Sequence, residues 1–336
     1  MLHRNIPIFI PHMGCPNACV FCNQHSISGC NSFREEDVKE QIEQALSTIP
    51  EDAVTEIAFF GGSFTGIDRG LMLRLLETAQ GYVNDGRVQS IRLSTRPDYI
   101  NNEILSILSR YSVKEIELGL QSMRDRVLEA SLRGHTAEQA KKACLAIKQA
   151  GFSFVGQMMI GLPASTLDDE IATAEEICSL GASGARIYPT VVFYDTPLAK
   201  MTQQGAYCPL TVKEAAERSS KALRIFLEHD VPCIRIGLCA TEDLVSDEKV
   251  LAGPNHPALG ELVWNAYYYE KIKELLSQNG LLGKEALLVI HEKERSKVAG
   301  QHRSNLIRLK EETGTELRIL TKKQFEGMQI SPLEKL

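Results

Sequence analysis

Three cysteines, Cys15, Cys19 and Cys22, lie in the segment Pro11-His12-Met13-Gly14-Cys15-Pro16-Asn17-Ala18-Cys19-Val20-Phe21-Cys22-Asn23, a Cys-x3-Cys-x2-Cys pattern. Cysteine thiolates hold iron–sulfur clusters, and four of them close an ordinary electron-transfer cube. Three thiolates hold three corners of a [4Fe–4S] cluster and leave the fourth iron open for chemistry. No fourth cysteine joins the close-spaced set, since Cys30 comes eight residues after Cys22. Zinc is the rival, because His12 and His25 could complete a closed four-ligand site. Zinc ligands usually come as two separated pairs, so the iron–sulfur reading leads and zinc stays open. Disulfides fit less well. The nine cysteines are an odd number and mostly isolated, and Met1 to Ile10 lack the features of a secretory signal, which suits a reduced cytoplasmic chain.

The elements that must position these thiols alternate. Strand-like segments at Ile6–Ile10, Glu56–Phe60, Val88–Leu93, Glu115–Leu120, Ser153–Ile160, Gly184–Tyr188 and Cys233–Leu238 are separated by helical patterns at Arg34–Ile49, Asp68–Gln80, Asn101–Arg110, Ala137–Ala150, Asp168–Leu180 and Val212–His229. Ser32 with Glu35 reads as a capping box for the first helix. Alternation of this kind predicts a parallel sheet with helical crossovers, open or closed, with ligands gathered at the carboxyl ends of the strands. The cysteine loop follows the first strand at that end. Gly61, Gly62 and Ser63 follow the second strand, where adjacent glycines let a ligand approach bare backbone. Gln121 ends the fourth strand, and Arg133 follows it with a guanidinium suited to a carboxylate. Ile160 and Ile187, with Tyr188, close the fifth and sixth.

Length and composition agree with one large domain and a small appendage: 336 residues, 43% hydrophobic. No apolar run approaches the ~20 residues that span a bilayer, so no membrane role is expected. The net charge of −6 is uneven. Residues 281–336 carry 11 basic against 8 acidic side chains, leaving 26 against 35 in the rest. That asymmetry assigns the tail a separate role.

The cysteine spacing resembles the cluster motif of the radical S-adenosylmethionine (radical SAM) superfamily. The resemblance implies a (β/α)6 partial TIM-type barrel over residues 1–240, a [4Fe–4S] cluster on Cys15, Cys19 and Cys22, and SAM chelating the open iron. Reductive cleavage of SAM then gives a 5′-deoxyadenosyl radical, with flavodoxin or ferredoxin as the type of electron donor. It also implies Phe21 beside the adenine, Gly61, Gly62 and Ser63 at the SAM amino group, Gln121 at the ribose, Arg133 at the carboxylate, and Ile160 and Ile187 along the adenine. Cys239, at the barrel mouth, is a candidate hydrogen-atom donor.

An ordered set narrows the resemblance. Gly61-Gly62-Ser63-Phe64, Ser94-Thr95-Arg96-Pro97-Asp98-Tyr99, Glu117-Leu118-Gly119-Leu120-Gln121-Ser122, Arg133-Gly134-His135-Thr136 and Ile187-Tyr188-Pro189-Thr190 together resemble the radical SAM half of the Elongator catalytic subunit, which modifies the wobble uridine of tRNA. The stretch after Leu238 is too short for that subunit's acetyltransferase domain, so the expectation is a stand-alone bacterial-type relative. Residues 241–280 read as a helical linker. Residues 281–336 read as a small α+β segment whose β–α–turn–α–β pattern resembles a KH-like RNA-binding core, with Gly300-Gln301-His302-Arg303 replacing the Gly-x-x-Gly turn.

Three functions follow. The first is a radical SAM enzyme acting on RNA, with tRNA as partner. The second is a radical SAM enzyme acting on a small metabolite or tetrapyrrole, with the tail as a lid. The third is a non-catalytic, cluster-bearing RNA-binding protein.

Overall fold

The computed structural model describes residues 3–15, 19–29, 32–50, 52–238 and 248–333, and of His25 the backbone only. Cys30 and Cys239 lie outside the described residues. Strands β1 (His3–Phe9), β2 (Val54–Phe60), β3 (Ser90–Thr95), β4 (Val113–Gln121), β5 (Ser153–Ile160), β6 (Gly184–Pro189) and β8 (Cys233–Ile236) form one seven-stranded sheet in that order. Every neighbouring pair is parallel. The order is linear, so the barrel is partial, as expected. The short β7 (Val192–Phe193) pairs antiparallel with β9 (Val250–Ala252), a ribbon the sequence did not announce.

Period-two alternation sorts the strand residues between two faces. Ile6, Ile8, Ile57, Phe59, Leu93, Ile116, Leu118, Phe154 and Met158 are buried together under the helices. The other face turns into the barrel and is charged. Glu56 on β2, Arg92 on β3, Glu117 on β4 and Arg186 on β6 form a continuous ion-pair chain there. In a parallel sheet covered on both faces such residues must be paired, because an unpaired buried charge costs several kcal/mol.

The crossover helices begin with side-chain caps. Asp68 caps α3 (Arg69–Asn84), and Asn101 caps α4 (Asn102–Leu108). Capping boxes open α6 (Ala137–Gln149), α7 (Leu167–Ser179) and α9 (Val212–Glu228) through Thr136/Gln139, Thr166/Asp169 and Thr211/Glu214. The expected box at Ser32 and Glu35 is not what opens α2 (Val38–Leu46). A 3-10 turn at Glu35–Asp37 precedes that helix, and Glu35 turns to Arg74, which donates from Nε at 2.7 Å and Nη2 at 2.9 Å. A bidentate guanidinium outbids a single backbone N–H for a carboxylate. Short helices α1 (Gln24–Ser28), α5 (Asp125–Ala130) and α8 (Pro197–Gln203) occupy loops at the carboxyl end of the sheet.

Helix α10 (Leu259–Gln278) connects two cores. Val263 is buried with the barrel residues. Tyr269, Ile272 and Leu276 are buried in a second cluster with Leu288, Ile290, Val298 and Leu309. That cluster underlies a three-stranded sheet of order β11 (Glu316–Lys322), β10 (Glu285–His291), β12 (Met328–Pro332). Helices α11 (Arg295–Ala299) and α12 (Ser304–Thr313) lie between β10 and β11, which pair in parallel as a β–α–α–β connection requires. The antiparallel β12 was not foreseen. Asn305 Nδ2 donates to the carbonyls of Asn265 at 2.9 Å and Val298 at 3.1 Å, which ties α12 to α10. Residues 241–280 are therefore packed on both cores where they are described.

Candidate functional site

The cysteine loop continues the β1–β2 ladder past the strand ends. Ile10 N donates to Phe60 O at 2.7 Å, His12 N to Gly61 O at 3.2 Å, and Ser63 N to Met13 O at 3.0 Å. The two backbones run so close that glycine is required. A Cβ on Gly62 would sit 2.4 Å from Met13 O and 2.7 Å from Ile10 O. A Cβ on Gly14, whose φ is +72°, would sit 2.2 Å from Ser63 O. Gly62→Ala is therefore expected to destabilise the fold by about 1–3 kcal/mol through overpacking and to lower iron uptake. Denaturant midpoint and iron analysis of the same preparation check both.

Other loops hold the centre of the cysteine segment. Val20 N donates to Ser131 O at 3.2 Å, and Leu198 N donates to Val20 O at 2.9 Å. Phe21 is buried in a small apolar cluster with Val127, Leu162, Val192 and Leu198.

The three thiols face different partners. Cys15 Sγ lies 3.5 Å from Ser63 Oγ. Cys19 is buried, with Arg133 Nη1 at 3.5 Å and Arg96 Nη1 at 4.0 Å from its sulfur. Burial pushes the Cys22 thiol up to about 12, and the charges of Cys19 and Cys15 push the same way. Burial thus disfavours the bare Cys22 thiolate, and a cationic centre beside it would offset that. No group of three His, Cys, Asp or Glu side chains among the described residues is arranged to hold a metal ion. His12 Nε2 accepts from Gln24 N at 3.0 Å, which occupies that ring nitrogen. Three cysteine thiols on one loop are a donor set suited to three corners of a [4Fe–4S] cluster. All seven cysteines among the described residues are free thiols.

Residues 9–177, just over half of the 336, match the radical SAM superfamily. This chain belongs to the radical SAM superfamily. Residues 182–268 match the Radical_SAM C-terminal domain. An uncharacterized protein of Methanocaldococcus jannaschii is 27% identical over 73% of this chain and 77% of its own length. The tRNA uridine(34) acetyltransferase of that organism is 26% identical over 64% of this chain and 42% of its own length. Elongator complex protein 3 of Homo sapiens is 30% identical over 40% of this chain and 25% of its own length. The chain thus spans less than half the length of these last two relatives. The N-terminally deleted Elp3 of Methanocaldococcus infernus superposes on 84% of this chain and 66% of its own, with a TM-score of 0.60 at 20% identity, a likeness of fold. No helix among the described residues is long and apolar enough to cross a membrane.

Radical SAM enzymes use a [4Fe–4S] cluster and SAM. The SAM candidates divide when placed on the structure. Gly61, Gly62 and Ser63 lie against the cysteine loop. Gln121 ends β4 with a φ of +67°, unusual for a residue with a Cβ, and its Oε1 is 3.5 Å from Gln157 Nε2. Arg133 Nη2 donates to Gly119 O at 2.5 Å, while its buried Nε has no partner among the described residues. That orphan donor leaves Arg133 capacity for an anionic group.

Ile160 and Ile187 are placed differently from expectation. Both are fully buried in the layer between sheet and helices. The alternation that buries them sends Met159 and Tyr188 to the barrel interior, and these replace them as candidates for the ligand-facing wall.

Two groups escaped the sequence reading. Glu170 is buried and accepts from Gly161 N at 2.7 Å and from Arg218 Nη2 at 2.6 Å, while Tyr207 Oη donates to Gly161 O at 2.6 Å. They pin the Gly161-Leu162-Pro163 turn from behind. An acid in the first turn of the crossover helix, nine residues after the strand-end glycine, was the available signal. His135 is the second. Burial and the adjacent Arg133 guanidinium lower it to about 3, so it stays neutral, with the ring held against the Leu120 backbone.

Proposed function

We propose that this radical SAM enzyme modifies RNA, with tRNA as its substrate and Cys15, Cys19 and Cys22 as cluster ligands. When bound, the reduced cluster and SAM supply one-electron cleavage of the sulfonium and a 5′-deoxyadenosyl radical. The chain's own residues then do four things. Arg133 and the strand-end backbone at Gly61 and Gly62 grip the methionyl end. Gln121 takes the ribose. Phe21 packs beside the base, and the inner face of the partial barrel limits access of water.

One observation carries the RNA reading: the exposed turn between α11 and α12. His302 and Arg303 both adopt left-handed backbone, with φ of +51° and +63°, and Gln301 separates them from Gly300 at +76°. Gln301, His302, Arg303 and Ser304 are exposed. An exposed basic turn between two helices of a β–α–α–β unit suits a nucleotide backbone, and the net positive charge of residues 281–336 supports the same reading. Two relatives named tRNA uridine(34) acetyltransferase support it independently.

Binding to bulk tRNA at graded salt tests the proposal. Affinity should fall linearly on a log–log plot, because phosphate contacts release counterions. Arg303→Glu is expected to weaken binding about tenfold, the loss of one charge-assisted hydrogen bond of roughly 1.5 kcal/mol. The salt slope should drop by about one. Salt-independent or absent tRNA binding counts against an RNA substrate. A comparison of tRNA nucleosides from cells with and without the gene identifies the product.

A further inference from the structure

The segment Thr95-Arg96-Pro97-Asp98 ends β3 and has no part in the SAM contacts proposed above. Arg96 is 2% exposed, among the most buried large side chains of the molecule. Its Nε and Nη2 donate to the two carboxylate oxygens of Asp98, each at 2.9 Å. Nη2 also donates to the carbonyl of Arg133 at 2.6 Å. Pro97 helps to set this geometry, because the residue before a proline is held extended, and Arg96 has φ −89° and ψ 150°. The Nε–Nη2 edge is therefore occupied by Asp98. That leaves Nη1 as the corner pointing away from the carboxylate, and Nη1 is the atom 4.0 Å from Cys19 Sγ.

Every nitrogen of Arg96 is thus committed, and its environment explains each commitment but one. A buried brace accounts for Asp98 and for the Arg133 carbonyl. It does not need a guanidinium corner on a sulfur. Cys19 also receives Arg133 Nη1 at 3.5 Å, whereas Cys15 faces a neutral hydroxyl. One of the three ligand sulfurs therefore sits against two cations. Positive charge and N–H donors beside a ligand sulfur favour the electron-rich state of a cluster and raise its reduction potential.

We propose that Arg96 is a positioning residue that raises the cluster's reduction potential through Cys19 while holding Arg133 in place by its backbone carbonyl. Asp98 is the clamp that fixes the direction of the guanidinium. The inference rests on Cys15, Cys19 and Cys22 being the cluster ligands, and it goes beyond the RNA reading, on which it does not depend.

The test is a redox titration of the anaerobically reconstituted full chain, followed by the EPR signal of the reduced cluster. Arg96→Gln removes the cation. Arg96→Lys keeps a charge but cannot span Asp98 and the sulfur together. Both are expected to shift the midpoint to more negative potential. Arg96→Gln should move the reduction equilibrium at least tenfold, which is about 59 mV for one electron, and Arg96→Lys by less. A wild-type midpoint in either iron-replete variant overturns the proposal, because a purely structural brace would change thermal stability and leave the potential alone. Where a variant takes up no iron, pulsed EPR of the wild-type reduced cluster in protein labelled with 15N-arginine decides. Couplings from two guanidinium groups, Arg96 and Arg133, are expected, and a single one overturns the proposal. Failure of the wild type itself to bind iron and sulfide would instead remove the cysteine assignment, and chemical analysis reads that outcome separately.

Discussion

Cys19→Ala protein, reconstituted without oxygen, is expected to lose the cluster's visible absorption and to form no 5′-deoxyadenosine from SAM. The expected loss is to background, at least about 1,000-fold, or some 4 kcal/mol of barrier. Cys19 is the buried member of the triad and the one faced by two guanidiniums. Its removal leaves those cations against an apolar methyl and leaves one iron corner without a thiolate. Two ligands do not substitute for three when the fourth corner must stay open. Cys208→Ser is the matched control, because Cys208 is exposed and its thiol donates to the neighbouring Pro209 carbonyl. It should keep both the absorption and the cleavage. Undiminished SAM cleavage by Cys19→Ala would defeat the assignment of the site, whatever the substrate turns out to be.

The backbone of the fold was legible because its signals are local. Alternating apolar runs marked the parallel strands, and Ser153–Ile160 has the predicted bounds. The Gly-Gly turn and the cysteine spacing located the site, since close backbone approach demands glycine whatever the surrounding fold. What escaped depends on which face a residue takes. Ile160 and Ile187 sit at the right strand ends, but one residue out of phase with the ligand side, and a one-residue step along a strand reverses the side chain. The inner charges escaped for a related reason. Glu56, Arg92, Glu117 and Arg186 come from different strands, and only their register brings them into contact. In the linear sequence each reads as a solvent-facing position. Arg96 lay inside a quoted motif, yet nothing in the chain order shows that its guanidinium reaches a cysteine 77 residues away.

The inner charge chain has a consequence larger than any single cap or glycine. Glu117 is 3% exposed on its side chain. It accepts from Arg186 Nη2 at 2.8 Å, lies 2.8 Å from Arg186 Nε, and takes Arg92 Nη1 at 3.2 Å. Arg92 has two other carboxylates, Glu56 and Glu115, whereas the carboxylate beside Arg186 is Glu117. Glu117→Leu should therefore strand the Arg186 cation in a dry interior. The expected cost is about 3–5 kcal/mol, a large share of the 5–15 kcal/mol that holds a typical domain together. The thermal midpoint should fall by roughly 10 °C. Adding Arg186→Met to Glu117→Leu should recover most of that loss, since an apolar pair of similar volume can replace a buried ion pair at little penalty. An unchanged midpoint in the single variant would mean that the chain carries no stability. Activity should not recover with stability. Arg186 Nη1 also donates to Tyr188 Oη at 3.2 Å, and Tyr188 is the residue that strand alternation places on the inner face beside the candidate SAM site. The double variant is therefore expected to fold as the wild type does while SAM cleavage or substrate turnover stays depressed. Full recovery of both would reduce the charge chain to packing alone.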